Sequence, residues 1–309
     1  MKALESKELG FGNRVTEPNQ RLMNRDGTSN VRRKGLSILE SISFYHSLIT
    51  MSWARFNLLV LSAYLGVNVL FAFAYMIIGT EQLSGMIGNS TADRFWEAFF
   101  FSAQTLTTVG YGRVNPVGHL GSSVAAIESM MGLLGFALAT GLLYGRFSRP
   151  VAKILFSQNA LIAPYRDGTA LMFRIANKKK GEFAEPEATV TIAYVIEENG
   201  KQVRKFNNLN LEISHINILT ATWTIVHPID ENSPLIEWSL DDFAGNQSEV
   251  LVFLKGYDET FAQTVHSRFS YRHHEIIYGA KFNSAVDPGP DGSTIVALDH
   301  INDYEKVAL

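Results

Sequence analysis

Within this 309-residue chain, Thr108-Val109-Gly110-Tyr111-Gly112 is the stretch whose residue types can do chemistry. The chemistry is desolvation. A potassium ion leaves water only when other oxygens replace its hydration shell. Four copies of this pentapeptide can supply them as rings of backbone carbonyls, with the Thr108 hydroxyl added. Carbonyls that point inward at successive residues need backbone angles that a β-carbon penalises, and Gly110 and Gly112 remove the penalty. The pentapeptide is already known as a potassium filter, so its meaning here rests on the flanking chain.

That context is membranous. Phe56 to Gly79 holds 24 residues without one Asp, Glu, Lys, Arg or His. As a helix it runs about 36 Å, longer than a hydrocarbon core of about 30 Å. A second span, Leu120 to Gly145, carries Glu128 as its sole charge. Gly121, Ala125, Ala126, Gly132, Gly135, Ala137, Ala139 and Gly141 make it rich in small residues, which permit close helix approach and bending. Gly132 and Gly141 are the expected hinge. Between the spans, Asp93 to Leu106 reads as a short helix capped by Thr91 or Asp93, with its negative C-terminal end aimed at the ion path. Non-helical backbone at membrane depth must be covered by protein or water, so the motif itself implies a tetramer.

Basic residues set the orientation. Arg32, Arg33, Lys34 and Arg55 precede the first span, and Arg146, Arg149 and Lys153 follow the second. Both termini are therefore expected in the cytoplasm of a plasma (inner) membrane protein. Met1 to Ser37 is polar and does not read as a signal peptide. Ser37 to Trp53 has Ile38, Ile42, Tyr45, Ile49 and Trp53 at helical spacing, which suits an amphipathic helix on the inner membrane surface.

After Pro150 the pattern changes to short β-branched runs: Thr169–Ala176, Ala188–Glu197, His215–His227, Glu249–Leu254 and Thr294–Leu298. Turn sequences separate them, and Ser239-Leu240-Asp241-Asp242 is the one capped short helix. This predicts an immunoglobulin-like β-sandwich. The expected division is an N-terminal segment 1–36, an interfacial helix 37–54, a pore domain 55–149 and a cytoplasmic sandwich 150–309.

Composition limits the alternatives. A net charge of −3 argues against nucleic-acid binding, and the absence of cysteine removes disulfides, thiolate metal sites and a cysteine nucleophile. Mean hydropathy of +0.04 averages an apolar first half with a second half that reads as soluble. No phosphate-cradling glycine loop, His-Glu-x-x-His or Gly-x-Ser-x-Gly is present, so no enzyme and no cofactor is expected, with K+ as permeant ion. His273-His274, placed on a strand, would point to opposite faces and share no metal. Lys178-Lys179-Lys180 reads as a solvated turn that can attract anionic lipid, at about 1 kcal/mol per charge near the surface.

These residues resemble the inward-rectifier potassium channels, most closely the prokaryotic branch. The specific likeness lies in the second half: Thr224-Ile225-Val226-His227-Pro228-Ile229-Asp230 with Ser233-Pro234-Leu235, Gly256 with Glu259-Thr260, Arg268-Phe269-Ser270-Tyr271, and Leu171-Met172-Phe173-Arg174. Met51-Ser52-Trp53-Ala54-Arg55-Phe56 is similar to the junction between the interfacial and outer helices. The resemblance implies a homotetramer that holds K+ at Thr108, Val109, Gly110 and Tyr111. It implies an inner helix lining the pore with Phe136, Thr140 and a bulky gate at Tyr144, and a cytoplasmic constriction at Gly256, Tyr257 and Ala262. It also implies a phosphoinositide-type lipid site at Arg55, Arg146, Arg149, Lys153 and Lys179, and block by Ba2+, Mg2+ or polyamines. Two positions depart from the family. Phe136 stands where strong rectifiers carry an acid, so rectification is expected to be weak. Gln104 replaces a frequent pore-helix glutamate, which removes the usual ion pair. Glu128 is left with a hydrogen-bonding role near the pore helix or a functional one. Three rivals lack support in the residues: a channel with a nucleotide-binding domain, which needs a Gly-rich strand-to-helix turn; a voltage-gated channel, which needs an arginine-bearing span; and a membrane-anchored β-sandwich receptor, which leaves the filter unexplained.

Overall fold

The computed structural model describes residues 20–31, 35, 44–150, 152–179 and 183–309. They form two compact units, one of residues 35–149 and one of residues 1–34 with 150–309.

The first unit is helical. Helix α1 (Phe44–Thr50) is short, and α2 (Trp53–Ile78) and α4 (Gly118–Phe147) are long and apolar enough to cross a membrane. Between them, α3 (Thr91–Leu106) begins at Ser90. The cap is Ser90 and not Thr91 or Asp93: its hydroxyl accepts from Asp93 N, and the Asp93 carboxylate accepts from Ser90 N in return. This reciprocal pair satisfies two otherwise unpaired amides. The interfacial helix ends before residue 54. Residues 36–43 lie outside the described part, the helix stops at Thr50, and Trp53 opens α2. The break falls at Ser52, which is extended (φ −60°, ψ 152°) as an N-cap residue must be.

The second unit is a sandwich. One sheet runs β10 (Gln263–Arg272), β9 (Glu249–Asp258), β6 (Phe183–Glu198), β7 (Lys201–Leu209). In the other, β5 (Gly168–Asn177) pairs with β3 (Ile154–Phe156), β4 (Ala160–Tyr165) and β8 (Thr222–Ile229), and β11 (Ile276–Tyr278) adds to β4. Alternate residues of each strand meet in one core: Leu171, Phe173 and Ile175 from one sheet, Val190, Ile192, Val250 and Val252 from the other. Ser239 caps the expected short helix, α5 (Leu240–Gly245).

Several expectations about this unit change. The His215–His227 run is a strand only from Thr222; before that it makes isolated bridges, Glu187 with His215 and Ala184 with Ile218. It crosses beside a bulge in β6, where Pro186 has no amide to continue a ladder. His273 and His274 occupy a 3-10 turn, not a strand, and their rings meet edge to face at 5.2 Å. Residues 20–31, read as part of a separate segment, join the sandwich. Glu249 accepts from the amides of Leu22 (2.8 Å) and Met23 (3.2 Å), and Arg21 forks onto Glu275 (both 3.1 Å).

Candidate ion filter and inner pore

The filter backbone is set by its amides. Val109 N donates to the Gln104 carbonyl at 2.9 Å, and Gly110 N reaches the same oxygen at 3.4 Å. That oxygen belongs to the last turn of α3, whose carbonyls have no partner within the helix. A trans peptide holds its N–H and C=O in opposite directions. Amides aimed at α3 therefore send the Thr108 and Val109 carbonyls to the opposite, open side. Thr108 (φ 61°), Gly110 (φ 53°) and Gly112 (φ 84°) are left-handed, while Val109 and Tyr111 between them are not. This alternation lets successive carbonyls face one way. The glycines were legible in the sequence; the left-handed threonine was not. A β-branched residue there is uncommon and strained, which marks a position held by its surroundings. Val109 and Tyr111 are exposed on the single chain, at 53% and 80%.

Neighbouring elements brace this segment. A small ladder joins β1 (Leu83–Ser84) to β2 (Asn115–Pro116). Glu97 of α3 accepts from Ile87 N at 2.9 Å and pairs with Arg113 at 3.2 Å, just past the filter. Sequence reasoning removed the ion pair at Gln104 and overlooked this one; the Glu97 and Arg113 charges in that loop were its only trace.

On α4, Phe136, Thr140 and Tyr144 recur every four residues and fall within about 80° of one another, whereas Glu128 lies about 80° from Phe136 and about 160° from Tyr144. Phe136 (73%) and Tyr144 (74%) are exposed, while Glu128 is fully buried, so the acid does not share their face. Gly132 sits against the end of α3: a β-carbon there would lie 2.0 Å from the Leu106 carbonyl oxygen. Both expected hinge glycines, Gly132 and Gly141, lie within one continuous α4.

The basic residues divide. Arg55, Arg149 and Lys153 are exposed. Arg146, expected among the lipid cations, also acts as a strut. Its guanidinium donates to the Leu48 (2.5 Å) and Met51 (2.7 Å) carbonyls at the end of α1 and lies over the Trp53 and Phe56 rings at 4.6 and 4.4 Å. It closes unpaired helix-end carbonyls with a favourable charge. Lys179 is likewise engaged within its own unit, pairing with Asp258 at 2.6 Å and lying 5.0 Å from the Phe261 ring; Lys180 lies outside the described residues. Burial opposes ionisation of Asp258, but Lys179 and the backbone donors of Phe261 and Thr260 outweigh it and hold the carboxyl below its usual range. Gly256 and Tyr257, expected in a loop, lie on β9, with Gly256 making room for the Phe183 ring. The turn proper begins after Asp258 and carries Ala262 at φ 50°.

Two spans, a short helix ending on a strand of outward carbonyls, and an attached β-sandwich define a membrane pore module for dehydrated cations. The family profile of the inward rectifier potassium channel C-terminal domain matches residues 154–309, and that of ion channel matches residues 61–149. The inward rectifier potassium channel Kirbac3.1 of Paramagnetospirillum magnetotacticum is 37% identical over 288 residues, covering 93% of this chain and 96% of that one. The ATP-sensitive inward rectifier potassium channel 12 of Mus musculus is 27% identical, over 90% of this chain and 71% of its own length. The chain belongs to the inward rectifier potassium channel family, and it is a potassium channel, not an enzyme.

Proposed function

We propose that four copies of this chain form one passive K+ pathway in the plasma (inner) membrane, with the filter toward the outer face and both termini cytoplasmic. The observation that carries the filter is the pair of amides fixed on the Gln104 carbonyl, which turns the Thr108 and Val109 oxygens to the open side. Four such edges around an axis replace the hydration shell of K+ at Thr108, Val109, Gly110 and Tyr111. The orientation is supported by the basic flanks and by the packing of residues 20–31 on the same sandwich as the C-terminal half. An even number of spans separates the two, as packing on one side requires.

Phe136, Thr140 and Tyr144 line the inner cavity, and four Tyr144 rings close it by excluding water. Ba2+ blocks from within the filter, and internal Mg2+ or polyamines block weakly because Phe136 offers them no charge. Phe136→Asp places up to four carboxylates in that cavity and should raise polyamine block by tenfold or more, about 1.4 kcal/mol. Unchanged block in inside-out patches would remove Phe136 from the cavity.

Lys153 is exposed, and phosphoinositide-like anionic headgroups act on gating through it and through two exposed cations beside the spans, Arg55 and Arg149, with an inhibitory sign expected. Neutralising all three should shift the lipid dose response of rubidium flux to higher lipid content. A curve that overlays the parent would exclude them. Arg146 is omitted from this set because its removal would loosen the α1 end directly.

A further inference from the structure

Three helices meet at one buried polar point. Asn68 and Tyr75 of α2, Ser102 of α3 and Glu128 of α4 are each completely shielded. Tyr75 Oη donates to Glu128 Oε2 at 2.7 Å, and Ser102 Oγ contacts Glu128 Oε1. Ser102 Oγ also lies 3.0 Å from Asn68 Oδ1, and Asn68 Nδ2 donates to the Tyr64 carbonyl at 2.7 Å. The Tyr75 ring stands edge-on to Phe101 at 5.2 Å. Burying such groups at membrane depth is costly unless they are answered, and each of these side chains lies within hydrogen-bonding distance of another polar group.

The position of this point matters for ion selection. Ser102 lies two residues before Gln104, the residue whose carbonyl holds the Val109 and Gly110 amides. A rotation or slide of α3 would carry that carbonyl with it and re-aim the filter oxygens. We infer that Glu128 is a positioning residue for ion selectivity: through Ser102 and Tyr75 it locks the pore helix to the outer helix and so fixes the direction of the filter carbonyls. This rests on the filter reading above. The lock is one of hydrogen-bond geometry, not of fixed charge. A serine hydroxyl has one hydrogen to give and here two oxygens in reach, so a glutamine amide, accepting from Tyr75 and donating to Ser102, satisfies the same network.

The test uses the full chain in liposomes and reads rubidium against sodium flux for wild type, Tyr75→Phe, Ser102→Ala, Glu128→Leu and Glu128→Gln. Ser102→Ala and Glu128→Leu should lower the rubidium-to-sodium ratio by about tenfold, the scale of a buried polar group losing its partner. Tyr75→Phe should lower it in the same direction, and Glu128→Gln should keep it within about twofold. Should Glu128→Leu fail to assemble, the two hydroxyl deletions decide. Wild-type selectivity in both of them, or Glu128→Gln behaving as Glu128→Leu, would overturn the inference while leaving the filter reading standing. A wild-type channel that does not discriminate would overturn both.

Discussion

Gly110→Ala is expected to abolish selective rubidium uptake while leaving the purified channel assembled. Gly110 has φ 53°, and nothing lies within 4 Å of the β-carbon it would gain. The effect is therefore backbone strain and not crowding within the chain. A β-carbon in left-handed backbone costs about 1–2 kcal/mol, and four copies around one axis raise this to about 4–8 kcal/mol. The filter would relax by turning carbonyls away from the ion path. Gly135→Ala is the control: it lies within α4, meets nothing within 4 Å and has no left-handed φ, so alanine there should be neutral or slightly stabilising. Equal flux from both variants would show that the left-handed turn at Gly110 is not required for conduction.

Gly132→Ala is expected to be nearly as damaging for a different reason. Its β-carbon would stand 2.0 Å from the Leu106 oxygen and 2.8 Å from the Leu106 carbonyl carbon. Both atoms are backbone at the end of the pore helix and cannot rotate aside. Relief requires α4 and α3 to part by more than 1 Å, roughly a bond length, which disturbs the filter anchored two residues upstream at Gln104. Loss of barium-sensitive flux, or failure to assemble, is the predicted result. Gly141→Ala meets nothing within 4 Å, so it should preserve assembly and selectivity and alter open probability alone. Wild-type flux from Gly132→Ala would contradict the packing of α4 on α3.

Much of this was legible in the residues. An apolar run longer than a bilayer is thick has few alternatives, and both spans lie within three residues of their expected ends. Alternating β-branched residues announced β5, β6 and β9 for the same reason: period two is visible when one face is buried. Strands β7 and β10 were missed because Lys201, Gln202, Arg204 and Lys205 on one, and Gln263, His266, Ser267 and Arg268 on the other, fill them with polar residues. Cross-strand pairing places such strands, and a single sequence does not contain it. The same limit applies to the basic residues. Arg55 and Arg149 look like Arg146 in a list of charges. Only the fold brings the Leu48 and Met51 carbonyls and two aromatic rings around Arg146. Glu128 was conspicuous as a lone acid in a span, but its partners lie 26 and 53 residues away.

The most direct test of the account is rubidium uptake into liposomes that hold the purified full-length protein and are loaded with potassium, measured with and without barium and against sodium. The account predicts uptake that barium abolishes and that sodium does not replace. Uptake that is insensitive to barium and equal for sodium and rubidium would contradict the claim that carbonyls aimed by Gln104 select the ion.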